Sequence, residues 1–455
     1  MEIGNYIIKK ATGLGADDVV CTIKSGLTRQ VKFVNNEIIL NTTWDTIDAG
    51  IFLSHKKRLI ASTLGAPGTI ENYPVQRTLN TLSRKSIDQF LTRMVKVAKM
   101  MKPKEDYHGI AKGPFKYRKI GDGYDSKVAK LEGKEIDFVH DAIDSALKEG
   151  AIRSTGVLYA GAWETEVFSS NDVIAKDNGT SINISIRSFG KDSSGHSLSV
   201  SRMLNGFNPK KAGSEAGALA KQGVNPELGE AGKYDVILSP MVMANILYYM
   251  SYGFSAFEVD SGMSFLIDKI RKKVGNDNVT ILDDGRMPNG FGSRAFDDEG
   301  RPTQKTEIIK NGVLKTYLHN TSTAKKFGVE STANAGLVYP HPNNLVLERG
   351  DSSLDEMISQ VKDGIYITNV WYTRFSNYRT GDFSTIPRDA MFEIKNGKIA
   401  RSVKGLRLSD NLQHVLESMQ SISKDTRTIQ WWEVETPIVT GHVLCEGLNM
   451  TKSAK

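Results

Sequence analysis

Cysteine is scarce. Two thiols, Cys21 and Cys445, in 455 residues exclude a disulfide scaffold and suit a reducing compartment. An excess of one charge is also missing. Lys+Arg 59 against Asp+Glu 52 leaves +7, too small an excess at this length to argue for a nucleic-acid partner. The opening Met1–Gly15 sets Glu2 and Lys9-Lys10 around a short apolar stretch and lacks a signal-peptide layout. A long clean hydrophobic run is absent as well. Val236 to Phe257 carries no charge and is long enough to span a bilayer. Ser239-Pro240, Asn245, Ser251 and Gly253 interrupt it, which predicts a buried strand, turn and helix. A cytoplasmic protein with no membrane contact is expected. With 39% apolar and 24% charged residues, a folded chain of two or three domains follows.

The common catalytic signatures are missing too. No Gly-Lys pair precedes Ser or Thr, so there is no Walker phosphate loop. Gly290-Phe291-Gly292-Ser293-Arg294-Ala295 approaches a dinucleotide fingerprint, but neither a strand before it nor a helix after it is predicted, so it reads as a loop. Gly-x-Ser-x-Gly is absent, and Gly253-Phe254-Ser255-Ala256-Phe257 lacks the second glycine. No two of the eight histidines lie within ten residues of each other, so no His-Glu-x-x-His helix exists. His442 and Cys445 would face opposite sides of a strand over 438–449. Asp283-Asp284 and Asp297-Asp298-Glu299 are read as solvated or capping carboxylates rather than a cation site. The basic clusters, such as Lys56-Lys57-Arg58 and Arg271-Lys272-Lys273, read as solvated surface.

Periodicity supplies the fold class. A helix is predicted over 3–13. Short strands follow in a meander: alternation at Val19–Lys24 and Gln30–Phe33, then Glu37–Thr42, Ala49–Ser54 and Leu59–Thr63. Ser86 is taken as the N-cap of a helix running to Pro103, and a second helix spans Lys134–Glu149. Lys102–Gly133 between them reads as an exposed excursion. Strands resume at Gly156–Ala162, Glu164–Ser169, Val173–Lys176 and Ser181–Ser188, with Asp177-Asn178-Gly179 as a hairpin turn, then a helix at Lys210–Lys221. Later helices are placed near Met241–Gly253, Ser322–Lys326, Ser353–Val361 and Asn411–Met419. This is an α+β chain of two domains. Residues 1–223 form an N-terminal domain of antiparallel strands with helices, and 224–455 a β-rich domain with a few helices. Trp431-Trp432 should place one ring in the core and one outward, as at an interface.

The run Ala295-Phe296-Asp297-Asp298-Glu299-Gly300-Arg301-Pro302-Thr303-Gln304-Lys305-Thr306 continues through Asn311-Gly312-Val313-Leu314 and Tyr317-Leu318-His319-Asn320. It resembles the signature of the TldD/PmbA family, peptidase-related proteins once described as modulators of DNA gyrase. Ser331-Thr332-Ala333-Asn334-Ala335, Asn344–Gly350, Thr380-Gly381-Asp382-Phe383-Ser384 and Phe392–Ile399 extend the likeness in order.

The resemblance implies two kinds of subunit. The TldD kind carries a zinc-binding His-Glu-x-x-x-His helix and a cysteine ligand near the C-terminus. The PmbA kind, also called TldE, lacks both and pairs with a TldD subunit. Here the corresponding helix, Ile246–Gly253, holds Tyr248, Tyr249 and Tyr252 and neither histidine nor carboxylate. The stretch expected to supply the cysteine, 423–435, holds Trp431 and Trp432 instead. Tyrosine phenols, with a pKa of about 10, are poor zinc ligands at neutral pH. The expected protein therefore binds no cofactor itself, and zinc sits on a TldD-like partner. The two form a heterodimer that admits short unfolded peptides, or this chain forms a homodimer when alone. Helix Met241–Gly253 and Trp431-Trp432 are the candidate chamber wall. An autonomous peptidase with an unrecognised site and a nucleic-acid-binding regulator, prompted by a pI of about 9.0, are the alternatives.

Overall fold

The computed structural model describes residues 2–65 and 82–452. The N-terminal half is an antiparallel six-stranded sheet built from β1 (Asp18–Val34), β2 (Glu37–His55), β3 (Arg58–Leu64), β4 (Arg153–Ser169), β5 (Ile174–Phe189) and β6 (Ser194–Ser201), ordered β3-β2-β1-β4-β5-β6. Side chains alternate across a strand, so Val19, Cys21, Ile23, Val31 and Phe33 of β1 share one face. Two helix pairs divide that face. At one end α1 (Glu2–Gly13) and α2 (Arg84–Met100) bury Ile7, Ala11, Ile87 and Leu91 on it. After the single turn α3 (Ser126–Ala129), α4 (Glu135–Lys148) and α5 (Pro209–Gln222) cover the other end with Val139, Ile143, Ala212 and Ala216.

The opposite face receives the C-terminal half. Val20, Val167, Val173 and Ala175 pack there against Ile110, Ala295 and Phe296. The C-terminal half is two sheets sandwiching α6 (Pro240–Tyr252). One sheet has six strands ordered 313–314, 305–310, 281–284, 345–347, 434–440 and 427–431. The other has ten strands, and among the described residues Val370–Asn377 is one of its edges. The α+β, two-domain layout expected from the sequence is the layout observed. No helix among the described residues is long and apolar enough to cross a membrane.

Several local expectations require correction. The strands are long, not short. Glu37–Thr42 and Ala49–Ser54 are one strand, because the residues between them keep pairing with β1, Thr43 opposite Arg29 through Asp48 opposite Lys24. Backbone pairing carries that middle stretch, with Ile47 half-buried against the core. Asp177-Asn178-Gly179 is no turn but lies within β5, with Asp177 opposite Thr165 and Gly179 opposite Trp163. Gly179 is small because a Cβ there would strike Arg202 and Trp163, and Asp177 accepts the amide of Ala295 at 2.7 Å. The cap of α2 is Ser83, whose hydroxyl accepts from Ser86 N at 3.2 Å. The segment 102–133 is docked rather than loose. It buries Tyr107, Ile110, Ala111, Val128 and Leu131, donates from Ala111 N to Glu299 Oε2 at 3.1 Å and from the Tyr117 hydroxyl to Gly300 O at 2.7 Å. The single strand over 438–449 is two strands, broken at Gly441-His442.

Candidate functional site: the tyrosine face of the central helix

Strand Gly232–Leu238 turns directly into α6. Ser239 caps the helix, accepting from Val242 N at 3.3 Å and donating to Thr368 O at 2.6 Å. Pro240 follows in the first turn, where its missing N–H costs nothing. The helix from Met241 to Leu247 is buried, and Asn245 fastens it from inside, its Nδ2 donating to Glu433 O at 3.3 Å. Only near its C-terminal end does α6 reach a surface, through half-buried Tyr248, Tyr249 and Tyr252.

These three tyrosines form one cluster. The ring centroids of Tyr248 lie 5.5 Å from Tyr249 and 5.6 Å from Tyr252, both edge-on. The hydroxyls of Tyr248 and Tyr252, one turn apart, lie 2.9 Å from each other. Burial raises the pKa of all three phenols; at Tyr248 the bond to Tyr252 adds to this, and at Tyr252 the charge of Glu435 does. Beside them opens a cavity of about 280 Å³ walled by Tyr248, Tyr252, Ser255, Tyr339, His341 and Glu435. His341 Nδ1 lies 3.1 Å from Pro342 O. A carbonyl can only accept, so Nδ1 carries the proton and Nε2 keeps its lone pair. Burial, then the Arg294 charge, holds His341 below the ordinary histidine range.

The edge strand Val370–Asn377 flanks the same helix with exposed aromatics. Tyr249 meets Phe375 at 5.9 Å, and Phe375 meets Tyr378 at 4.6 Å. Arg374 lies over Tyr372 and Arg388 over Trp371, at 4.7 and 4.3 Å. Tyr372 is left-handed at φ 58°, and its amide donates to Glu433 Oε1 at 3.4 Å. Trp431 is buried edge-on against His196, at 4.7 Å. Trp432 is 65% exposed.

Other candidates resolve differently. Ser185 Oγ and His196 Nε2 are 2.8 Å apart, which resembles a nucleophile and its base. Asn369 fixes the tautomer against that chemistry. Its Nδ2 donates to Asp389 Oδ2 at 2.8 Å and lies 3.0 Å from His196 Nδ1, while its Oδ1 accepts Val370 N. His196 Nδ1 is thus the acceptor and Nε2–H points at the serine, leaving no lone pair to take its proton. Burial pushes both thiols, Cys21 and Cys445, up to about 12, so neither is a thiolate at neutral pH. Asp283 and Asp297 do receive amides as expected, but they are buried rather than solvated. Asp283 accepts from Asn343 N at 2.7 Å, Asn344 N at 3.0 Å and Asn334 Nδ2 at 2.6 Å. Gly290–Arg294 is a loop, as expected, and Gly292 N donates to Asn344 Oδ1. Among the described residues no three of His, Cys, Asp or Glu gather as metal donors.

Sequence reasoning placed the tyrosines on one helix but missed Ser255, Tyr339, His341 and Glu435. These come from three separate segments, so spacing holds no trace of their meeting. The double X-Pro run Tyr339-Pro340-His341-Pro342 was the one available signal, since it forces an extended turn.

The fold and the helix-centred sandwich define a class with solved members. The structure of TldE from Thermococcus kodakarensis superposes with a TM-score of 0.84, covering 99% of this chain and 100% of that one at 18% identity, a likeness of fold. The description "PmbA/TldA metallopeptidase C-terminal domain" matches residues 231–452. A Methanocaldococcus jannaschii protein named as a metalloprotease is 27% identical over 388 residues, 76% of this chain and 80% of its own length. An uncharacterized protein of the same organism is 31% identical over 313 residues, 66% of this chain and 72% of that one. The chain belongs to the TldD/PmbA family of metallopeptidase-like proteins.

Proposed function

We propose that this chain is a TldE-type subunit that holds no zinc and acts with a TldD-like, zinc-bearing partner on short unfolded peptides. One observation carries the reading: the helix that would present zinc ligands presents Tyr248, Tyr249 and Tyr252 instead. That donor set does not fit a zinc ion. Zinc favours thiolate, imidazole and carboxylate, whereas these phenols are held protonated by burial. A neutral phenol is a weak ligand and supplies no base to activate water.

What remains suits enclosure. Among the described residues Val370–Asn377 is an edge of its sheet, and although Val370 N and Tyr372 N are taken by Asn369 and Glu433, an extended chain would pair with the rest of this edge, a mode that reads backbone rather than sequence. Exposed Tyr372 lies in the strand and exposed Tyr378 just after it, a residue type that anchors contacts between chains. A two-subunit enclosure would exclude folded proteins by size and keep the chemistry on one side.

The test is reconstitution. Metal analysis of the purified chain, pull-down of its partner from the native source with mass spectrometry, and peptide cleavage by each subunit alone and mixed would be compared. Metal-free protein, a TldD-like partner and cleavage only in the mixture are expected. Stoichiometric zinc with turnover by this chain alone would overturn the reading.

A further inference from the structure

We propose that the cavity between α6 and the Tyr339–Pro342 loop binds an organic ammonium group, the side chain of lysine or the free amino terminus of an extended peptide. The proposal rests on the peptide-admitting reading above and adds what such a peptide would present there. Three tyrosine rings, Tyr248, Tyr252 and Tyr339, stand on its walls with the carboxylate of Glu435. Ring faces attract cations through their quadrupole, and a ring set with one acid is how proteins hold alkylammonium ions.

The charge balance of the walls agrees. The titratable groups facing the space are Glu435, His341 and the three phenols. Burial and the Arg294 charge keep His341 neutral, burial keeps Tyr248 and Tyr252 protonated, and among the described residues neither Lys nor Arg lines the cavity. Glu435 makes no hydrogen bond or ion pair among the described residues and is exposed. Its charge is met by solvent alone, which an incoming ammonium would displace. Ser255 contributes a second unmet group, a buried hydroxyl without a hydrogen-bond partner. An anion would meet Glu435 with no cation to offset it. A bare metal ion would find at most one carboxylate, one imidazole and protonated phenols, too few donors. An ammonium finds a carboxylate at Glu435, phenol oxygens on Tyr248, Tyr252 and Tyr339, and rings for its methylenes.

Calorimetry and saturation-transfer NMR on the full chain test this with four probes. Tetramethylammonium chloride reads ring attraction alone. Acetyl-lysine amide presents the side-chain ammonium, alanyl-alanine amide the free terminus, and acetyl-alanyl-alanine amide neither. The cations should bind and the neutral probe should not. Whichever of the two amine probes binds more tightly identifies the source. Glu435→Gln and Tyr252→Leu should each weaken cation binding about two- to fivefold. Tyr252→Phe, which keeps the ring and its packing, should preserve tetramethylammonium affinity and guards against a folding defect. Absence of binding by every cation, or binding unchanged in Glu435→Gln and Tyr252→Leu, would overturn the proposal. Partner association and zinc content are read separately, so a pocket that ignores ammonium would leave the subunit reading standing.

Discussion

Tyr248 and Tyr252 hold their phenol oxygens 2.9 Å apart across one turn of α6. Removing either hydroxyl leaves the other facing the cavity, where water can replace the lost partner. Tyr248→Phe and Tyr252→Phe should therefore each cost about 0.5–1.5 kcal/mol. The double variant should cost no more than the larger single one, because both substitutions delete the same bond. Urea denaturation of the four proteins checks this. Additive losses would mean the two hydroxyls act independently.

The join between the two halves is also polar. Asp389, its side chain fully buried, lies 2.9 Å from Arg187 Nε and accepts from Ser194 Oγ at 2.6 Å and Asn369 Nδ2 at 2.8 Å. Burial alone would raise its pKa, but Arg187 and the hydrogen bonds hold it below the ordinary carboxylate range. Asp389→Ala strands a mostly buried guanidinium and should cost about 3–5 kcal/mol. Arg187 and Ser194 belong to the N-terminal sheet and Asp389 to the other half, so thermal unfolding should broaden or split. A loss below about 1 kcal/mol would show the pair to be solvated.

Local punctuation proved an uneven guide to this fold: the cap read at Ser86 is Ser83, whereas the helices placed near Met241, Ser322, Ser353 and Asn411 are present. Ser239-Pro240, Asn320, Ser353 and Asn411 each open a helix where a side-chain acceptor precedes a periodic run. Such signals are local, so they survive in sequence. Asp177-Asn178-Gly179 misled because two of its residues serve distant partners: Asp177 takes the amide of Ala295, and Gly179 makes room for Arg202. The chain in fact turns at Ser170–Val173, with Asp172 at φ 60°. Lys102–Gly133 looked loose because its anchors, Glu299 and Gly300, lie almost two hundred residues away. The candidate site divides the same way. Tyr248, Tyr249 and Tyr252 are legible as one helix face, whereas Glu435 and His341 arrive only through the tertiary fold.

Gly213 sits where α5 crosses α4. An alanine in a helix ordinarily gains about 1 kcal/mol over glycine. Here a Cβ would be driven into the carbonyl of Ala142, backbone that cannot swing aside. Overpacking of this kind costs about 1–3 kcal/mol, so the crowding wins. Gly213→Ala should destabilise, while Gly133→Ala offers no such clash but must hold φ 98° and should lose stability through backbone strain alone. Chemical denaturation separates them: both lose stability, and only Gly213→Ala should lose it together with the α4–α5 packing seen by hydrogen exchange.

Glu299 supplies the pH test. Its carboxyl is buried and lies by Asp297, and burial first, then that charge, push its pKa above the ordinary value of 4.5. The unfolded chain releases this proton near 4.5, whereas the folded chain keeps it to higher pH. Between those points the unfolded state binds fewer protons, so stability falls as pH rises, with a limiting slope of about 1.4 kcal/mol per unit. Asp283, raised to about 6, acts with the same sign at lower pH. The histidines act oppositely. His319 and His442 are lowered to about 4 by burial, so their contribution is lost as pH falls below 6.5. In the unfolded chain they titrate over about a unit either side of 6.5, so they are silent only above about pH 7.5, and the slope from there to about pH 8.5 reports Glu299. In Glu299→Gln, whose amide oxygen can still accept Ala111 N, that slope should flatten and stability at about pH 8 should exceed the parent's. Parallel curves for the two proteins across this window would mean that Glu299 is ionised in the folded chain.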